Sequence, residues 1–144
     1  MNDWISGLAA TPTKELRLTE LVLPAQANHY GTLFGPQALA LLGKTAYLAA
    51  AGFTQQAVVM AGASRIDFIA PVPVGALLHL HARVSRVGRS SLTVEVRAAL
   101  DAAPGTRPGE VLRGSFEMVA VDAQGRPSAL RPRQRQAVPE ALTR

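Results

Sequence analysis

Cysteine is absent from the 144 residues, and with it go disulfides, cysteine-ligated zinc and thiol nucleophiles. A chain of this length buries roughly two-thirds of its unfolded surface, so one domain can hold together without such staples. Lysine is nearly absent too: 13 Arg stand against two Lys, and the net charge of +5 is carried by arginine. Long apolar runs are also missing. The least polar stretch, residues 37–53, is broken by Lys44 and falls short of the roughly 20 residues that span a bilayer. The opening MNDWISGLAATPTKEL has an Asp and no cation before Lys14, unlike a secretory signal. These features predict a cytoplasmic protein with no membrane partner.

Acidic residues are few and unevenly placed: ten in all, with none between Glu20 and Asp67. The densest basic spot is Arg131, Arg133 and Arg135. Three cations without interleaved aromatics read as a solvated end rather than a nucleic-acid surface. Nucleic acid is therefore not the expected partner, and residues 131–144 are expected to form a loosely held basic tail.

In residues 15–23, ELRLTELVL, apolar side chains nearly alternate before Pro24, which reads as a strand running into a loop. After the turn-rich AQANHYGTLFG, Gly35-Pro36 opens and Gly52 closes an apolar segment. Proline at the start and glycine past the end are the punctuation of a helix. Apolar on nearly every side, it is predicted to be wrapped by the rest of the protein. Four β-rich runs follow at residues 57–72, 76–87, 90–102 and 110–124, and VGRSS joins two of them as a hairpin. One strand, one helix and four strands make an α+β domain over residues 1–130, with a curved antiparallel sheet of about five strands around one long helix. Such a sheet has edges, and edges tend to be paired or covered.

The run Asn28-His29-Tyr30-Gly31-Thr32-Leu33-Phe34-Gly35 leads into the helix, and Arg65-Ile66-Asp67-Phe68-Ile69-Ala70-Pro71-Val72-Pro73-Val74-Gly75 follows it. Val87-Gly88-Arg89-Ser90-Ser91-Leu92 and Phe116-Glu117-Met118-Val119-Ala120-Val121-Asp122 come later in the same order and spacing. Together these resemble the hotdog-fold acyl-CoA thioester hydrolases of the YciA-like group, over roughly residues 15–130. The resemblance implies a hotdog fold and a dimer joined into one continuous sheet, often in a higher homo-oligomer. It also implies acyl-CoA hydrolysis at the dimer interface, with coenzyme A present as part of the substrate and no separate cofactor or metal.

The group's first motif, N-x-x-G-x-[LI]-F-G-G-x-[LI]-[LM]-x-x-M-D, is met by Asn28, Gly31, Phe34 and Gly35. Pro36 replaces its second glycine, and Gly43 stands at the family's catalytic-acid position. The stretch without carboxylates thus includes the position where the relatives keep their Asp. Gly43 has two bland readings, close helix packing or an enlarged acyl channel, and one functional reading, a site remodelled for binding without fast turnover.

The chemistry needs an activated water and donors for an oxyanion, and a helix N-terminus supplies such donors as free N–H groups. Proline has no N–H, so the candidates are Gly35 and Gln37. Asn28 can hold a water or the carbonyl, or else build an Asx turn. His29 carries an imidazole, a side chain able to accept a proton, and is the local candidate base, while Asp67 reads as a residue that orients a loop or caps a turn. His79 and His81 share a strand face, but a metal site would need a further ligand beside them. For the coenzyme, Arg89 can grip a phosphate through two N–H groups, Ser90 and Ser91 supply hydroxyls and turn N–H groups, and Gly88 belongs to the same binding turn. Arg65 is a further phosphate candidate, with Arg86 and Lys44 behind it. The expected activity is acyl-CoA thioester hydrolysis, slowed by the missing Asp. The alternatives are a catalytically lapsed acyl-CoA or acyl-carrier binding homo-oligomer and a purely structural one.

Overall fold

A computed structural model describes residues 14–101 and 109–131. The predicted loose tail beyond Arg131 lies outside the described residues. Strand β1 (Glu15–Leu21) runs through a 3-10 turn (Pro24–Gln26) and a loop into helix α1 (Gly35–Thr54). Strands β2 (Val58–Phe68), β3 (Leu77–Val87), β4 (Ser91–Leu100) and β5 (Gly109–Ala120) follow. The sheet order is β1-β3-β4-β5-β2, and every neighbouring pair is antiparallel. This is the expected five-stranded sheet with one helix packed across it.

Alternation decides which face meets the helix. In β4, Leu92, Val94, Val96 and Ala98 are buried, and Thr93, Glu95 and Arg97 point the other way. In β3 the inward set is Leu78, Leu80, Ala82 and Val84, and in β5 it includes Phe116, Met118 and Ala120. Helix α1 meets this face with Ala38, Leu42, Ala46, Ala49, Ala50 and Phe53. Four of the six are Ala, so the helix axis can lie close over the sheet, while Phe53 at 0 % exposure contributes about 1.5–3 kcal/mol by burial alone.

Two expectations about the helix need correcting. It does not close at Gly52 but continues to Thr54, and Gln55 ends it in the left-handed region (φ 54°) with its N–H bonded to Ala51 O. Gln55 Nε2 also donates to Gly52 O at 2.7 Å, so the glutamine closes the end the glycine was expected to close. Nor is the helix wrapped on every side. Among the described residues the sheet covers one of its faces, and Leu39, Tyr47 and Leu48 are 40 %, 47 % and 41 % exposed. Among the described residues no helix is long and apolar enough to cross a membrane.

The two sheet edges differ in chemistry. β1 carries Glu15, Arg17 and Glu20, whereas β2 from Val58 to Ser64 carries no charge and leaves Val59 and Met60 nearly half exposed.

Candidate functional site

The loop before α1 folds back on itself. Ala27 bridges Leu33, Phe34 N–H donates to Gln26 O at 2.9 Å, and Leu33 N–H donates to Val72 O at 2.7 Å. These bonds aim the chain into the helix with Phe34 as its N-cap, Gly35 first and Pro36 second. Ala38 N–H already bonds Phe34 O at 2.9 Å. The N–H groups of Gly35 and Gln37 have no partner among the described residues. A Cβ added at Gly35 would meet nothing within 4 Å, so the backbone is open to an incoming group.

Beside this helix end lies a cavity of about 270 Å³. Leu33, Gly35 and Ala38 form one wall, and Phe68, Ile69, Ala70, Pro71, Val72 and Leu112 form the other. The chain leaving β2 is held there by Ile69 N–H bonding Val111 O at 2.8 Å. An apolar cleft lined by Gly35, whose N–H has no partner among the described residues, suits an acyl chain attached to a polarised carbonyl. Leu112 was not singled out by the sequence reading, because its place in this wall follows from strand register.

Asn28 is engaged in its own loop. Its Oδ1 accepts from Tyr30 N–H (2.9 Å) and Thr32 N–H (3.2 Å), and its Nδ2 lies 3.0 Å from Thr32 Oγ1. That is the Asx-turn reading realised, with one Nδ2 hydrogen left over. His29 is exposed at the loop tip, its ring 4.0 Å from that of Tyr30. Asp67 accepts from Arg113 Nε at 2.7 Å, and that hydrogen bond, reinforced by the carboxylate charge, raises the Arg113 pKa. Asp67 therefore forms a cross-strand ion pair between β2 and β5 rather than orienting a loop as expected, because it lies within β2 opposite Arg113.

Gly43 faces β2. A Cβ built there would lie 3.1 Å from Met60 Cε, so Met60 packs closely on the helix at this glycine. No sequence signal pointed to Met60, since the contact depends on how α1 crosses the edge strand.

The hairpin between β3 and β4 is tightly held. Gly88 N–H bonds Ser91 O (2.7 Å), Ala120 N–H bonds Ser90 O (2.8 Å), and Leu130 N–H bonds Arg89 O (2.7 Å). Arg89 is exposed, with no side-chain partner among the described residues. Arg86 and Lys44 are committed elsewhere: Arg86 pairs with Glu117 at 2.8 Å and Lys44 with Glu20 at 2.5 Å. Arg65, at φ 54° in a β2 irregularity, stands apart from the hairpin. It lines an outer-face hollow with Asp67, Glu95, Arg97 and Arg113, where both charge signs mix.

Within one chain the two halves of the expected site lie apart. Ser90 sits beside Ala120 and the helix N-terminus beside Leu112, eight residues along β5, or about 26 Å. Of the two histidines on β3, His79 bonds Thr19 Oγ1 and Asp101, and His81 Nε2 lies 3.6 Å from Glu15. Among the described residues no three His, Asp or Glu gather as a metal site.

Comparison with known proteins points the same way as the cleft. The pattern of the thioesterase superfamily matches residues 30–101. An uncharacterized acyl-CoA thioester hydrolase of Zymomonas mobilis is 34 % identical over 121 residues, covering 84 % of this chain and 81 % of its own. An acyl-CoA hydrolase of Staphylococcus aureus, solved with butyryl coenzyme A and coenzyme A, superposes with a TM-score of 0.76 at 27 % identity over 81 % of this chain and 71 % of its own. A hexameric thioesterase of Yersinia pestis superposes with a TM-score of 0.75 at 28 % identity, covering 85 % of this chain and 99 % of its own.

Proposed function

The chain belongs to the thioesterase superfamily as a YciA-like hotdog acyl-CoA thioesterase, and on that premise we propose that it cleaves acyl-CoA into a free acid and coenzyme A at a site shared between two copies. The observation that carries this reading is the start of α1, where Gly35 lines an apolar cleft and the N–H groups of Gly35 and Gln37 have no partner among the described residues.

In the proposed reaction the acyl chain occupies the cleft and the thioester carbonyl oxygen meets the Gly35 or Gln37 N–H. Water adds to the carbonyl carbon, the oxyanion is held at the helix end, and collapse expels the thiolate of coenzyme A. The spare Nδ2 hydrogen of Asn28 orients the water. His29, next to Asn28 in the loop, takes its proton in place of the carboxylate missing at Gly43.

A second copy supplies the coenzyme end. β2 starts near the hairpin and ends near the helix N-terminus, so antiparallel pairing of two β2 edges about a two-fold axis brings one copy's hairpin towards the other's cleft. Arg89 then meets phosphate, with Ser90 and Ser91 beside it, while Gly88 shapes the turn, its N–H being bonded to Ser91 O. The uncharged, half-exposed β2 edge supports this assembly.

The test is free-thiol release from a chain-length panel of acyl-CoAs, with Arg89→Ala and Asn28→Ala measured alone and after co-refolding. Each variant alone should be slow. The mixture should recover about one quarter of wild-type sites, because half the dimers are mixed and each mixed dimer has one intact site. A mixture no faster than its parts would overturn the shared site. The lack of a carboxylate at Gly43 favours one second reading, an acyl-CoA binding protein without fast turnover, and coenzyme A binding with no thiol release would establish it.

A further inference from the structure

Beneath the hairpin, Arg86, Ser91, Thr93 and Glu117 form one polar cluster on the outer face of the sheet. Register places Arg86 opposite Thr93 and Thr93 opposite Glu117. Arg86 Nε donates to Thr93 Oγ1 at 2.9 Å, and Thr93 Oγ1 donates in turn to Glu117 Oε1. The two hydrogens of Arg86 Nη2 go to Glu117 Oε2 at 2.8 Å and Ser91 Oγ at 3.0 Å. A Cβ on Gly88 would lie 2.8 Å from Arg86 Nη1 and 3.0 Å from Ser91 Oγ, so the turn rests directly on the guanidinium.

Two consequences follow. Glu117 offsets the charge of Arg86, leaving Arg89 as the uncompensated cation of the turn. Ser91 Oγ accepts from Arg86, a planar group that Glu117 and Thr93 hold still, and its own O–H has no acceptor among the described residues.

We propose that Glu117 is a positioning residue for coenzyme recognition: it holds Arg86, and Arg86 holds the 88–91 turn with the Ser91 O–H directed outward to an anionic oxygen of the ligand. This rests on the reading of the turn as the coenzyme-binding segment. Glu117 itself touches no ligand.

The test measures coenzyme A dissociation constants by calorimetry for the full chain and for Ser91→Ala, Arg89→Ala, Glu117→Ala, Glu117→Gln and the double variant Glu117→Ala/Ser91→Ala. A hydrogen bond to an anion is involved, so Ser91→Ala and Glu117→Ala should each weaken binding about tenfold. If Glu117 acts through Ser91, the double variant should bind no worse than either single one. Glu117→Gln keeps one oxygen to accept from Arg86 Nη2 and turns its NH2 towards Thr93 Oγ1, which can accept, so it should stay within about threefold of wild type, a rescue that also covers the case of Glu117→Ala failing to fold. Single-variant losses that multiply in the double variant, or wild-type binding by Glu117→Ala while Ser91→Ala and Arg89→Ala are weak, would overturn the proposal and leave the coenzyme site standing. Wild-type binding by Ser91→Ala and Arg89→Ala would instead overturn the coenzyme assignment itself, and this proposal with it.

Discussion

Met60 closes the space above Gly43: a Cβ at residue 43 would lie 3.1 Å from the terminal methyl of Met60. The conflicting atom is the far end of a flexible side chain, and Met adapts its rotamer readily. Gly43→Asp should therefore fold, with Met60 swinging aside. A restored carboxylate should raise the rate of thiol release from acyl-CoA by about 10²–10⁴, the usual contribution of a general base. Gly43→Asp/Met60→Ala should be at least as fast, since it removes the obstruction. A folded Gly43→Asp protein no faster than wild type would mean that the missing acid does not limit turnover.

Asn28 has two jobs that substitution can separate. Its Oδ1 receives the N–H groups of Tyr30 and Thr32, which orders the loop feeding α1. Asn28→Asp keeps that acceptor and loses the Nδ2 donor, whereas Asn28→Ala loses both. Thermal unfolding should show a loss of about 1–2 kcal/mol for the alanine variant, from loop N–H groups left unpaired, and little change for the aspartate variant. Thiol release should fall in both. Normal turnover in a stable Asn28→Asp protein would reduce Asn28 to a loop residue.

Gly114 marks the tightest packing between β5 and the bulged edge strand. A Cβ there would lie 2.6 Å from Ile66 Cδ1 and 2.9 Å from Phe116 Cε2, and Phe116 is 1 % exposed with no room to retreat. Gly114→Ala should destabilise the fold by about 1–3 kcal/mol as an overpacked core, visible as a lower denaturation midpoint. An unchanged midpoint would show that Ile66 moves freely.

Sheet, helix and hairpin were legible because they rest on local signals: alternation in Leu92, Val94 and Val96, the Gly35-Pro36 helix start, and Gly88 in the turn. The helix end was not, because a Gln55 in the left-handed region sealing its own helix leaves a weaker mark than Gly52. At the candidate site, Asn28, Gly35 and the 88–91 turn could be named from the motif. Met60, Leu112 and Glu117 could not, since their roles arise from register and helix crossing over long sequence separations. Arg86 looked like a free cation until register brought Glu117 beside it. The sequence also gave no hint that the helix end and the turn lie at opposite ends of the same strand.

That separation makes the choice of sheet edge decisive. Edge strands usually avoid pairing by carrying charge, and β1 does so with Glu15, Arg17 and Glu20, while β2 has no charged side chain from Val58 to Ser64. Val59 is 47 % exposed on that strand and borders none of the groups around the cleft. Val59→Lys should therefore place repelling charges where two β2 strands meet and shift the protein towards single chains in sedimentation. Thr19→Lys on β1 should leave the assembly intact. If cleft and turn must come from different copies, Val59→Lys should lose thiol release in step with the loss of assembly, and the lost activity should return partly at high protein concentration, where mass action favours pairing. Single chains that retain full turnover would place both halves of the reaction in one copy, against the 26 Å or so of β5 that divides them.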